Sequence, residues 1–199
     1  MKRIIFSIWS DLTKKNVYAT RGKKESFRKF KNKLVKKQKE YAKYCDAEYF
    51  LFEAKSTDYV NVQFDKILKF EELTKKYDQV VYFDLDVIPI TKKNIFEEFN
   101  FDYPCIYDFD VHKNASDEEL KKWLRYQYRE KNAIDPMSIY SKVAAKKAML
   151  LIEDIVSNDS ICNTAVICGN QKAANLLKFS ERIIYIDKYT EIFNKKNQN

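Results

Sequence analysis

VVYFDLDVIPI, Val80 to Ile90, runs as an apolar strand and then sets down two aspartates one residue apart. Carboxylates in so apolar a run are costly unless they are paired or bind a cation. If Gln79 to Asp84 is a strand and the extended backbone continues, Asp84 and Asp86 turn toward one side while Leu85 stays in the core. The alternative is an aspartate pair that merely ends a strand and starts a turn.

Working outward, the chain before this stretch alternates elements. KRIIFSIW at 2–9 reads as a first strand. Phe27, Phe30, Leu34, Tyr41 and Cys45 recur at helical spacing among lysines, which predicts an amphipathic helix from Glu25 to Cys45. AEYFLFE at 47–53 reads as a second strand, and Phe64, Ile67, Leu68 and Phe70 predict a helix ending near Tyr77. Strand, helix, strand, helix, strand is the pattern of an α/β fold with a mixed, mostly parallel, Rossmann-like sheet flanked by helices. Such sheets bind ligands at the carboxyl ends of their strands. The aspartate pair falls at one.

Beyond it, a short helix is expected at Asn94 to Phe99, a strand at Tyr103 to Tyr107, and then Asp108 and Asp110. Ser116 to Glu119 forms a capping box, and helices on either side of Pro136 suggest a helical insertion at about 115–157. ICNTAVIC at 161–168 is a further strand, Gln171 to Phe179 a helix and Ile183 to Ile186 a last strand. With no repeat or low-complexity linker, residues 1–199 are read as a single domain.

The composition supports a folded chain: 199 residues, 45% hydrophobic and 15% aromatic. Ser7, Ser10 and Asp11 interrupt the apolar start before a secretory core forms, and no stretch has the ~20 apolar residues of a membrane span. Cys45, Cys105, Cys162 and Cys168 have neither zinc-knuckle nor dithiol spacing, so they read as free thiols in a reducing compartment. A cytoplasmic location is expected.

The net charge is +8, yet residues 14–43 alone hold 13 Lys or Arg against two Glu. Only 6 of the 37 basic residues are arginine, the side chain suited to bidentate base and phosphate contacts. Specific nucleic-acid binding is therefore not expected; the basic segment is a candidate contact for a peripheral membrane surface or an anionic acceptor. With two glycines, Gly22 and Gly169, the chain cannot build a dinucleotide fingerprint or a Walker loop. A diphosphate would instead need a divalent cation on carboxylates, for which hard oxygen ligands suit Mn²⁺ or Mg²⁺.

QKEYAKYCDAEYFLF at 38–52, QFDKILKFEELTKKYDQVVYFDLDVIPI at 63–90 and ICNTAVICGN at 161–170 resemble nucleotide-sugar glycosyltransferases of the GT-A fold, most of all the retaining, metal-dependent branch. The resemblance implies a catalytic domain that moves a sugar from a nucleoside diphosphate donor, UDP-sugar favoured, to a glycan or other hydroxyl acceptor. It implies Mn²⁺ or Mg²⁺ at Asp86 and Asp84, Lys66 near the donor, and Ser7, Trp9, Ser10 and Asp11 along the nucleoside. Asn163 and Thr164 would face the donor sugar, and Asp108 and Asp110 would contact donor or acceptor. Ala165 stands where the family usually has glycine. The only histidine, His112, is not at the family's third-ligand position, leaving water or a carboxylate such as Asp187 to complete a shell. Two rival readings are a haloacid-dehalogenase-like phosphatase, whose Asp-x-Asp also follows a strand, and a non-catalytic sugar-nucleotide or anionic-surface binding module.

Overall fold

The computed structural model describes residues 1–10, 21–55, 59–108 and 162–181. The helical insertion expected at 115–157, the strand expected at 183–186, and Asp11, Asp110, His112 and Asp187 lie outside the described residues. The chain divides into two compact units, one of Met1–Tyr107 with Thr164–Ile183, the other of Asp108–Asn163 with Ile184–Asn199. The sheet core belongs to the first.

Five strands form one mixed sheet: β1 (Arg3–Trp9), β2 (Glu48–Glu53), β3 (Gln79–Phe83), β4 (Cys105–Asp108) and β5 (Cys162–Gly169), in the order β2-β1-β3-β5-β4. β1 pairs parallel with β2 and β3, whereas β5 runs antiparallel to β3, with Val80 opposite Gly169 and Phe83 opposite Val166. Helices α1 (Arg21–Tyr44) and α2 (Tyr59–Thr74) are the crossovers that parallel neighbours require. Two short helices follow, α3 (Ile95–Glu98) and α4 (Gln171–Leu177).

Strand alternation sorts the core into two layers. Ile5, Val81, Phe83 and Cys168 pack with Tyr41 and Ala42 of α1, Cys45 just after it, and Phe96 of α3. Ile4, Phe6, Val80, Tyr82 and Ile167 pack with Phe70 and Leu73 of α2 and Ala174 of α4. Thus α1 and α2 cover opposite faces. The short helices start where asparagine supplies a cap: Asn94 Oδ1 accepts from the Phe96 amide, and Asn170 Oδ1 from those of Lys172 and Ala173.

Three expectations need correction. Phe30 is exposed instead of facing the core. A 24-residue helix is about 36 Å long against roughly 23 Å for a seven-residue strand, and among the described side chains of α1 the buried ones are Gln38, Tyr41 and Ala42. β3 ends at Phe83, not Asp84. The aspartate pair is a tight turn instead of an extended run, closed by the Val87 amide donating to the Asp84 carbonyl at 2.9 Å. Leu85 is buried as expected.

Candidate functional site

The carboxyl ends of the parallel strands carry Trp9 at the end of β1 with Ser10 after it, and the Asp84–Val87 turn after β3. The antiparallel neighbour extends past that end: the Asp84 amide donates to the Ala165 carbonyl at 2.7 Å, and Thr164 and Asn163 come next along β5. Thr164 is half-buried. Asp108 is the last residue of β4.

On the α2 face, Lys66 is buried, only 3% exposed, and its Nζ lies 3.2 Å from Asp84 Oδ1. The Tyr82 hydroxyl donates to the same oxygen, and the ammonium sits 5.3 Å from the Tyr82 ring centroid. Among the described residues both of these contacts fall on Oδ1 of Asp84. Burial lowers the Lys66 pKa against the opposing pull of Asp84, and burial together with Asp84 keeps the Tyr82 phenol protonated far above its ordinary range. Tyr82 is therefore a fixed donor to the carboxylate.

Asp86 is exposed, yet its pKa is raised, first by lost hydration and then by repulsion from Asp84. An exposed carboxylate held next to a like charge is a receptive place for a cation. Two carboxylates suit an oxygen-seeking divalent ion whose shell is completed by water or phosphate. Among the described residues no third His, Cys, Asp or Glu joins them in a cluster.

On the α1 face the turn is held by its backbone. Gln38, completely buried, donates from Nε2 to the carbonyls of Asp84 at 3.0 Å and Val87 at 2.9 Å, with Leu85 at 3.4 Å. Its Oε1 accepts from Ser7 Oγ at 2.7 Å and the Tyr49 hydroxyl at 2.9 Å. Ser7 is thus wholly buried, with its hydroxyl committed inside the protein. Trp9 is half-buried, and Lys31 Nζ lies 4.3 Å from its ring centroid.

The structure brings together Asp84, Asp86 and Lys66. Sequence reasoning missed Gln38, Tyr49 and Tyr82. Gln38 carried one signal: with Leu34, Tyr41 and Cys45 it lies on the inward stripe of α1, a polar residue at an apolar position. Tyr49 and Tyr82 carried none, since an aromatic in a strand is ordinary core. No family model matches the chain, and neither a curated protein nor a solved structure is found similar to it.

Proposed function

We propose that the chain is a metal-dependent glycosyltransferase of GT-A type, retaining, that moves a sugar from a nucleoside diphosphate donor, UDP-sugar favoured, to an acceptor hydroxyl. The observation that carries this reading is the aspartate turn at the carboxyl end of a central parallel strand, with a buried lysine on its first carboxylate. Asp86 and Asp84 would hold Mn²⁺ or Mg²⁺. A cation there supplies Lewis acidity toward the leaving diphosphate. Lys66 adds positive charge from a buried, preorganised position, where an ammonium acts more strongly than in water.

Trp9 and Ser10 would border the nucleoside, and Thr164 with Asn163 the donor sugar. Asp108 and Asp110 remain assigned to donor or acceptor contact. The exposed lysines of α1, Lys33, Lys36, Lys39 and Lys43 among them, would meet an anionic acceptor or membrane surface. Free thiols at Cys45, Cys105 and Cys168 support a reducing, cytoplasmic setting.

The test titrates UDP and GDP against the protein with and without Mn²⁺ and repeats both with Asp86→Asn. Metal-dependent UDP binding, weakened by the substitution at least about 10–100-fold, is expected, because even partners outside the metal's inner shell cost that much. Tight binding without metal, or binding indifferent to Asp86→Asn, overturns the reading. Phosphate release from phosphomonoesters would point to a phosphatase instead.

A further inference from the structure

We infer that Gln38 is the positioning residue of the aspartate turn, its buried amide setting where Asp84 and Asp86 present their carboxylates; this rests on reading that turn as a cation site. A glutamine in an otherwise apolar stripe is an expensive choice for filling a core, since burying an amide is unfavourable unless every polar atom finds a partner. Here they do. The two N–H groups of Nε2 serve three carbonyls, the longest contact being a shared one, and Oε1 uses both lone pairs on Ser7 and Tyr49. Because carbonyls only accept, the amide can face the turn in one orientation.

Those three carbonyls belong to Asp84, Leu85 and Val87, the backbone that bends between and after the two aspartates. Leu85 is buried between them, so the backbone angles on either side of it decide how far apart the carboxylates stand. Gln38 ties those angles to α1, while Ser7 and Tyr49 tie the amide to β1 and β2. Three elements thereby act on one turn. A preorganised ligand pair of this kind depends on its supporting hydrogen bonds nearly as much as on the ligands.

Mn²⁺ binding to the intact chain, followed by calorimetry or by the loss of the free-ion electron paramagnetic resonance signal, tests this without any sugar donor. Gln38→Met keeps the length of the side chain and removes the hydrogen bonds; it is expected to weaken Mn²⁺ binding about 10–100-fold. The amide of Val87, which closes the turn, should then exchange its hydrogen at least about tenfold faster relative to the protein's most protected amides. Ile5→Val, a core change on the same face, lowers stability without touching the turn and should leave Mn²⁺ affinity unchanged.

The double variant Ser7→Ala with Tyr49→Phe keeps Gln38 but frees Oε1. It should weaken Mn²⁺ binding about threefold or more, and it provides the test if Gln38→Met does not fold. Parent-like Mn²⁺ affinity in either folded variant overturns the inference. Absence of Mn²⁺ binding by the parent overturns the cation reading and this inference with it, an outcome distinct from binding that survives in the variants.

Discussion

Gln38 and Lys66 hold Asp84 from opposite faces of the sheet. The glutamine donates to the backbone carbonyl at 3.0 Å from the α1 side, and the lysine lies 3.2 Å from the carboxylate on the α2 side. One contact acts on the path of the chain and the other on the charge at its end. Their substitutions are therefore expected to have different consequences.

Lys66→Met removes the charge and keeps most of the side-chain volume. A positive charge 3.2 Å from Asp84 competes with any cation sought there and attracts any diphosphate. Titration calorimetry should therefore show Mn²⁺ alone binding tighter, by about three- to tenfold, while UDP in the presence of Mn²⁺ binds about tenfold weaker. Folding stability should change by less than about 2 kcal/mol, because desolvation of the buried ammonium offsets much of its attraction to Asp84. Weaker Mn²⁺ binding in the variant would show that Lys66 supports the carboxylate instead of competing for it.

Asp86→Asn should stabilise the metal-free protein. The carboxyl is held above its ordinary pKa of about 3.9, so the folded state binds the extra proton in the window between the two values, and stability falls as pH rises through it. The advantage of the variant is then complete above the raised pKa and disappears as pH drops below the ordinary one. Since solvent reaches Asp86, screening limits the gain to about 1 kcal/mol, roughly 2–4 °C in melting temperature. Thermal melts at pH 7 and pH 4 measure it, and added Mn²⁺ should reverse the order by stabilising only the parent.

Asp102 behaves in the opposite sense. It accepts from Lys172 Nζ at 2.7 Å and Asn170 Nδ2 at 2.6 Å, tying the turn before β4 to the start of α4, and these donors lower its pKa. A lowered carboxyl contributes stability above its unfolded pKa, and loses it as pH falls through the folded one. A double-mutant cycle of Asp102→Asn with Lys172→Met should show favourable coupling at pH 7 that disappears well below pH ~4. Coupling that persisted in acid would mean the contact does not depend on charge.

Gly169→Ala probes the packing of β5 against α4. A Cβ at this position would lie 2.7 Å from Ala173 Cβ, closer than carbon atoms approach, and 3.2 Å from Phe70 Cζ, tight enough that the ring must shift slightly. Urea unfolding should show a loss of about 1–3 kcal/mol. Ala173→Gly in the same chain should recover only part of it, since glycine inside a helix itself costs about 1 kcal/mol.

Much of the scaffold was legible because its signals are local. The near-continuous apolar runs of Arg3–Trp9 and Gln79–Phe83 are those of strands buried on both faces. At Asp84 the sequence left two readings, a continuing extended run or a turn, because apolar residues follow the pair. Only the closure of the turn by the Val87 amide reveals the bend.

By itself the sequence determined the order of the described strands and helices, the shortage of glycine, and the two aspartates that end an apolar run. Tertiary structure alone decided that Lys66 is buried against Asp84, that Tyr82 reaches the same oxygen, and that Gln38 is aimed at the turn. Helical and strand periods repeat every few residues and can be read along the chain, whereas Lys66 and Gln38 lie 18 and 46 residues before Asp84. Contacts at that range exist only after the crossovers have set α1 and α2 on opposite faces of the sheet, where β3 delivers its carboxyl end between them.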